Sequence, residues 1–266
     1  MRVALFSHQG PVREHNEDTI FSGGNVISGC SMFAPVVFNT EIPYGCFAVV
    51  DGMGGERGGE VAAKLVAESF LKYTNCWNVS IETAKKQIDS ALVHSMHRMV
   101  EIADQRPDLR SMGAAVAGVT FCAEGTLIFN SGDCRVYSLH DGALEKLSHE
   151  HSVVQDLFDE GRIDEEGMRH HSQKNILTGC VSTSYEYFET YVHKLPSNIE
   201  HGKFLICSDG VWEALSKKEL EDILLNQEGK QGNSDEHFEA TAKTLANRML
   251  WLGKGCRDNI SFILVG

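Results

Sequence analysis

Two apolar runs in this chain end in the same way, with an aspartate followed by a glycine. They are residues 46–52 (CFAVVDG) and residues 204–210 (FLICSDG). An apolar run of this length that ends at a turn signal is typical of a buried strand, so Asp51 and Asp209 are expected at rigid edges of the core. A hard metal cation needs oxygen ligands on such a stiff frame. Asp-Gly is also a common turn dipeptide, so each pair alone is equally typical of an ordinary strand-to-turn junction.

Two further acidic signatures lie at the edges of strand-like runs. The segment 13–18 (REHNED) places an arginine and the adjacent acids Glu17 and Asp18 just before one run, and Asp258 lies just before the last run of the chain. Carboxylates are the ligands that suit Mg²⁺ and Mn²⁺, which favour six oxygen ligands. Four acidic segments in this order therefore indicate a metal site assembled from distant parts of the chain.

The ordered set resembles the metal-dependent type-2C serine/threonine protein phosphatases of bacterial type. The segment 51–55 (DGMGG) is similar to their Asp-Gly-His-Gly-Gly segment, and 208–213 (SDGVWE) is similar to Ser-Asp-Gly-Leu-Trp-Asp. The segment 131–135 (SGDCR) resembles their Gly-Asp-Ser-Arg turn. The matches extend from about residue 7 to residue 265, so the resemblance covers essentially the whole chain.

The resemblance implies a site for two Mn²⁺ or Mg²⁺ ions. Asp51 would bridge both ions, and Asp209 and Asp258 would complete the first. The backbone carbonyl of Gly52 and the carboxylate of Glu17, partly through water, would hold the second. Two divalent cations about 4 Å apart can lower the pKa of a bridging water and neutralise phosphoryl oxygens during an in-line displacement.

Two residues beside the metal ligands are implied to be catalytic. Asp18 would orient metal-bound water, and Arg13 would bind the substrate phosphate bidentately, as a guanidinium fork does well. An alternative for Arg13 is a surface salt bridge with Glu14 or Glu17.

Three positions depart from the family pattern. Met53 replaces a histidine whose neighbours, and not itself, bind metal. The segment 148–152 (SHEHS) aligns with Thr-x-Asp-His-Ser, whose aspartate helps to hold a third metal in related bacterial enzymes. Glu150 has the same carboxylate on a side chain that is one methylene longer. Two alternatives for Glu150 are therefore open: a ligand of a weak third metal site, or a solvated acid at a helix start. At 178–180 the chain has TGC where the family shows Thr-Arg-Ala, which indicates a lost flap residue or surface contact.

The element order predicts an α/β (α+β) fold in which helices pack on antiparallel sheets. Helices are expected over about 56–73 and 80–104, with a later one carrying an apolar stripe from Phe238 to Leu252. Strands are expected near 2–6, 17–21, 46–50, 117–122, 126–130, 135–140 and 143–147. A hairpin turn is expected at Asp141-Gly142, and helix capping boxes are expected at Ser152 and Ser216. Within 148–185, a short helix over about 152–160 is expected to be followed by a polar, partly mobile flap. The resemblance implies a four-layer sandwich of two antiparallel sheets flanked by helices.

Composition narrows the class of protein further. The 266 residues contain no linker or repeat, so a single catalytic domain over 1–266 is expected. The net charge of −13 argues against nucleic acid as a partner. No segment approaches the ~20 apolar residues of a membrane span. The eight cysteines have no C-x-x-C spacing and no Cys-x5-Arg loop, which favours reduced thiols in a cytoplasmic protein and argues against cysteine-based catalysis.

The predicted function is hydrolysis of phosphoserine and phosphothreonine in proteins by a metal-activated water, without a covalent intermediate. The partners would be phosphorylated substrates of a serine/threonine kinase, and the chain is expected to be a monomer. One alternative is a phosphoesterase for a small molecule or nucleotide, because a metal site does not define the substrate class. The other is a phosphatase-like binding module, which would be expected to lose a core carboxylate; Asp51, Asp209 and Asp258 are all present.

Overall fold

Alternating apolar residues build two antiparallel sheets that share one core. The computed structural model describes residues 1–55, 58–74, 78–140, 142–184, 188–197, 199, 202–225, 234–251 and 256–266. In chain order the strands are β1 (Arg2–His8), β2 (Thr19–Ser22), β3 (Asn25–Ser28), β4 (Val36–Asn39), β5 (Gly45–Met53), β6 (Gly113–Cys122), β7 (Gly125–Ser131), β8 (Arg135–His140), β9 (Ala143–Lys146), β10 (Val181–Ser182), β11 (Tyr191–Lys194), β12 (Lys203–Cys207) and β13 (Ile260–Val265). One sheet has the order β4-β1-β13-β12-β8-β9, and the other has the order β11-β7-β6-β5-β2-β3, with β10 also paired to β6.

Helices cover the outer face of each sheet. They are α1 (Gly58–Tyr73), α2 (Ile81–Gln105), α3 (Val153–Asp159), α4 (Glu165–His170), α5 (Asp209–Ala214), α6 (Lys217–Leu225) and α7 (Ser234–Trp251), and a 3₁₀ turn spans Pro107–Leu109. Phe70 of α1 and Leu92 of α2 pack in one apolar cluster with Phe129 of β7. Trp212 of α5 and Leu245 of α7 belong to a second cluster on the other sheet. The layers are therefore helix, sheet, sheet and helix, as predicted.

The period of two along each strand decides which side chains lie between the sheets. In β5, Phe47 and Val49 belong to the cluster between the sheets, whereas Ala48 and Val50 belong to the cluster under the helices. The same alternation places Asp51 on the inner face. At the end of β5 the inner face opens toward solvent, so the strand delivers a carboxylate to the edge of the core.

Most predicted elements are confirmed, with ends shifted by a few residues. Ser216 forms the reciprocal capping box, because its Oγ accepts from the amide of Glu219 at 3.3 Å and its amide donates to that carboxylate at 3.0 Å. Ser152 forms half of one, accepting from the amide of Gln155 at 3.2 Å. The helix start near residue 56, Asp141 of the predicted turn, Leu252 of the predicted stripe and residue 185 of the predicted flap lie outside the described residues.

The segment predicted as a flap contains ordered structure that the sequence did not reveal. It includes α4, and Arg169 of α4 donates to the backbone carbonyl of Glu213 at 2.9 Å. Lys174 forms an ion pair with the carboxylate of the same Glu213. Two cations thus tie this segment to α5. Among the described helices, none is both long and apolar enough to cross a membrane.

Candidate active site

Strand register brings the acidic signatures to one end of the sandwich. In one sheet Thr19 pairs with Val50, which places Asp18 beside Asp51. In the other, the amide of Ser208 donates to the carbonyl of Ser261 at 3.0 Å. That contact brings the start of α5, where Asp209 lies, next to the residues that precede β13.

A cleft of about 480 Å³ opens at this end of the sandwich. Six of the eight site residues predicted from the sequence line it, namely Arg13, Glu17, Asp51, Gly52, Asp209 and Asp258. Asp18 is fully buried, and its Oδ2 accepts a hydrogen bond from Ser208 Oγ at 2.8 Å. Glu150 is not among the lining residues.

A close backbone approach at one wall of the cleft needs glycine. A Cβ added to Gly52 would lie 2.0 Å from the carbonyl oxygen of Gly59 and 2.8 Å from that of Glu17. A Cβ added to Gly59 would lie 2.6 Å from the Gly52 oxygen and 2.8 Å from Cδ of Glu17. Without side chains at either position, the Gly52 carbonyl and the Glu17 carboxylate gather around one point next to α1.

The pKa values of several carboxyl groups in and behind the cleft are raised. Burial, followed by the like charges of Asp18 and Asp209, raises the pKa of Asp51 well above its ordinary value. Burial and the charges of Asp133 and Asp258 do the same for the pKa of Asp209. Burial raises the pKa of Asp18 to about 7, although its hydrogen bonds from serine hydroxyls act in the opposite direction. Crowded acids of this kind hold their charge only when a cation offsets the repulsion.

Arg13 is already paired inside the cleft. Its Nη2 donates to Oδ2 of Asp258 at 2.5 Å, and this hydrogen bond is the main cause of the raised pKa of Arg13. Its partner is therefore Asp258, and neither Glu14 nor Glu17 is joined to it by an ion pair among the described residues. The side chain of Arg13 is 50% exposed, which leaves the other guanidinium nitrogens open to the cleft.

The donor set fits divalent cations. The carboxylates and the Gly52 carbonyl supply oxygen ligands only, as Mg²⁺ and Mn²⁺ prefer. Within the described residues, Oδ1 of Asp18 and Oδ1 of Asp209 are buried without a hydrogen-bond partner. In the same part of the chain, no three His, Cys, Asp or Glu side chains already converge tightly enough to hold a metal. The Arg13–Asp258 pair directs one carboxylate of the cleft toward a guanidinium.

Glu150, for which a weak third metal site and a solvated acid at a helix start were both open, is paired with two cations in the structure. Oε1 of Glu150 lies 2.7 Å from Nε of Arg135 and 2.9 Å from Nζ of Lys146, and its side chain is fully buried. Burial alone would raise the pKa of Glu150, but the charges of Arg135 and Lys146 hold it below its usual value. Two cations already neutralise this carboxylate and would repel a third, which argues against a metal at Glu150.

Sequence reasoning gave no role to two residues that shape the site. Asp133 lines the cleft on the turn between β7 and β8, and burial raises its pKa to about 7. The segment 131–135 already resembled a family turn, but that resemblance assigned no function to Asp133. Asn259 binds the N-terminal segment: its Oδ1 accepts from the amide of Glu17 at 2.8 Å, and its Nδ2 donates to the carbonyl of His15 at 2.8 Å.

Comparison with known proteins identifies the family. The model of the family described as protein phosphatase 2C matches residues 38–251, which is most of the chain. The chain belongs to the protein phosphatase 2C family. The serine/threonine phosphatase stp of Listeria welshimeri is 27% identical over 270 residues, an alignment that covers 100% of this chain and 95% of the relative.

Solved structures share the fold at lower identity. Stp1 from Staphylococcus aureus has a TM-score of 0.77 and 23% identity, and the match covers 98% of this chain and 93% of that one. The catalytic domain of the phosphatase PstP in complex with two manganese ions has a TM-score of 0.70 and 21% identity, and the match covers 99% and 98% of the two chains. The fold shared with these structures covers nearly the full length of the chain.

Proposed function

We propose that the cleft hydrolyses phosphoserine and phosphothreonine in proteins by direct attack of water, with two Mn²⁺ or Mg²⁺ ions and no covalent phosphoryl-enzyme intermediate. By its family the chain is a serine/threonine protein phosphatase. The observation that carries the mechanism is the meeting of Asp51, Asp209, Asp258 and Glu17 in one cleft beside Arg13.

The proposed ligands follow the order of the acidic segments. Asp51 would bridge the two cations, Asp209 and Asp258 would complete one, and the Gly52 carbonyl with Glu17 would hold the other. The raised pKa values of Asp51 and Asp209 support this assignment, because burial and like charges disfavour the ionised carboxylates and bound cations would favour them. The solved PstP domain with two manganese ions is consistent with it. When bound, the cations lower the pKa of the attacking water and neutralise the phosphoryl oxygens.

The protein's own groups bind the substrate and orient the water. Arg13 would bind two phosphoryl oxygens with its fork if Asp258 were a cation ligand and no longer its partner. Asp18 is held by Ser208 through Oδ2, so its Oδ1 can accept a hydrogen bond from water in a fixed direction. Of the described residues that line the cleft, none is a cysteine or a serine, which favours water as the attacking group.

Protein substrates suit the open shape of the cleft. Glu14 and His15 line it from the N-terminal segment, and Asn175 and Leu177 line it from the segment that follows α4. Both are loops beside a rigid site, where selectivity for partners usually resides. We propose phosphoproteins made by a serine/threonine kinase as substrates, and a monomeric cytoplasmic enzyme whose catalytic domain spans 1–266, with no nucleic acid or membrane partner.

A substrate panel tests this function. Phosphoserine and phosphothreonine peptides, nucleoside monophosphates and an aryl phosphate are compared at equal concentration with Mn²⁺, and the Asp209→Asn protein from the same purification reports contaminating activity. We expect phosphopeptides to have the highest kcat/KM and the variant to be inactive on all substrates. A higher kcat/KM for nucleotides would show that the substrates are nucleotides and not phosphoproteins. Equal activity of Asp209→Asn and the wild type would show that Asp209 is not a metal ligand.

A further inference from the structure

A second cavity, lined by both charged and apolar side chains, lies close to the cleft without being part of it. It measures about 250 Å³, and we call it the basic pocket after five of its lining residues, Arg135, Lys146, Arg169, Lys217 and Lys218. It shares no lining residue with the cleft. The two are nevertheless connected, because Trp212 lines the basic pocket and its Nε1 donates to the carbonyl of Asp133 in the cleft wall at 3.1 Å.

The basic pocket has a charge opposite to that of the protein. Two carboxylates, Glu165 and Glu166, line it alongside the five cations. Glu150 lies behind the wall and pairs with Arg135 and Lys146. Glu219 also approaches the pocket, because its carboxylate binds Ser216 of the lining. Five cations against four carboxylates leave an excess of one positive charge, in a chain whose net charge is −13. Such a local excess attracts anions.

Two guanidinium groups are held rigidly in the pocket wall. The Arg135 side chain is 10% exposed, its guanidinium carbon lies 3.6 Å from the centre of the Trp212 ring, and its Nη1 donates to the hydroxyl of Tyr137 at 3.0 Å. Arg169 pairs with Glu166 through Nη1 at 3.2 Å. Its Nε is buried and has no hydrogen-bond partner among the described residues. A buried charged donor without a partner is costly, and an anion in the pocket would supply the missing acceptor.

The lysines add charge that the described residues do not neutralise fully. Burial, together with the neighbouring charge of Arg135, lowers the pKa of Lys146, even though Glu150 opposes the effect. Lys217 and Lys218 are exposed in the first turn of α6, and no ion pair joins either of them to another described residue. The first turn of a helix also favours negative charge, although Glu219 already caps the amide of Ser216.

We propose that the basic pocket is a second anion site that binds a phosphate-type oxyanion. Guanidinium forks and ammonium groups are the usual phosphate ligands, and the excess of positive charge in the pocket favours an anion. The phosphoryl group could belong to free inorganic phosphate or to a small organic phosphate, since both present the same oxygens. The site binds its anion without any covalent step and is separate from the hydrolytic cleft.

Binding is measured on the full chain loaded with Mg²⁺. The Arg13→Ala background weakens phosphate binding in the cleft, and replacing Trp77 and Trp251 with phenylalanine leaves Trp212 as the only tryptophan. Inorganic phosphate is titrated at constant ionic strength while tryptophan fluorescence is recorded. We expect a saturable change that Lys217→Ala/Lys218→Ala weakens about tenfold, the loss expected when charged hydrogen-bond donors are removed. Arg169→Gln should weaken it similarly.

A matched lysine pair separates a built site from general charge effects. Lys85 and Lys86 are adjacent, exposed and near the start of α2, so Lys85→Ala/Lys86→Ala removes the same charge elsewhere. This control should bind phosphate like its parent. Equal weakening by both double variants, or no saturable change at all, would overturn the proposal.

The source of the phosphoryl group is tested with methylphosphonate, whose carbon–phosphorus bond the enzyme does not hydrolyse. Tighter binding of inorganic phosphate would identify the free ion as the ligand, and equal or tighter binding of methylphosphonate would identify an organic phosphate. The experiment measures binding and not turnover, so its result does not depend on whether the proposed catalytic function is correct.

Discussion

Arg13 and Asp258 are 245 positions apart in the chain and form an ion pair of 2.5 Å in the wall of the cleft. The proposed phosphate clamp and a proposed metal ligand therefore neutralise each other in this structure. A cation that takes Asp258 would release Arg13 toward the substrate. With the proposed ligands, metal binding and phosphate binding would be coupled through this one hydrogen bond, and each partner can be changed separately.

Removing the clamp should weaken substrate binding more than metal binding. We expect Arg13→Ala to raise the KM for a phosphopeptide about tenfold or more, because a bidentate charged contact is lost. Arg13→Lys should recover only part of the loss, since an ammonium lacks the planar fork. Steady-state kinetics at saturating Mn²⁺ and a separate Mn²⁺ titration make the comparison. Identical KM values for the wild type and Arg13→Ala would remove Arg13 from the substrate site.

Removing one ligand charge should separate function from folding. We expect Asp209→Asn to lower kcat at least about 100-fold, because a ligand is lost from a two-cation site. The metal-free variant should unfold at the same or a higher temperature than metal-free wild type, since a like-charge contact disappears. Asp222→Asn, an exposed change in α6, is the matched control for charge. Near-normal turnover of Asp209→Asn at saturating Mn²⁺ would contradict the assignment.

Chelated protein should become less stable as the pH rises. The pKa of Asp18 is about 7 in the metal-free fold and 3.8 in its ordinary state. Between about pH 4 and about pH 7 the folded state therefore keeps a proton that the unfolded state has lost, and the free energy of unfolding falls as the pH increases. Urea unfolding with EDTA at several pH values measures the slope. Asp51, Asp133 and Asp209 contribute to the same slope, because their pKa values are raised as well. Asp18→Asn should therefore reduce the slope without abolishing it, and an unchanged slope in that variant would show that Asp18 is not one of the titrating groups.

Glu150 should matter for stability and not for metal content. We expect Glu150→Ala to lower the free energy of unfolding by about 3–5 kcal/mol, because Arg135 and Lys146 would be left buried without their carboxylate. Glu145→Ala removes the same charge from an exposed position of β9 and should cost little. Urea unfolding gives the energies, and Mn²⁺ stoichiometry on the folded fraction gives the control. Fewer bound ions in a folded Glu150→Ala protein would restore Glu150 as a ligand.

The local part of the site could be read directly from the chain. An apolar run that ends in Asp-Gly specifies both a strand and a carboxylate at its end, because the period of two and the turn are properties of neighbouring residues. Asp51 and Asp209 were therefore placed correctly at strand ends. The ordered motifs also identified the family, and the family model confirms it.

Tertiary structure decided the partners of each charge. For Glu150 the sequence left a weak metal site and a solvated acid open, because its neighbours in sequence resemble a ligand segment, but folding surrounds it with Arg135 and Lys146. Folding also places Asp133 in the cleft wall and brings Arg169 into contact with α5. The sequence by itself determined which residues form strands and where acids end them, since these depend on local periodicity and turns. Only the tertiary structure decided which charges meet, because Coulomb energy depends on distances between segments that the chain brings together when it folds.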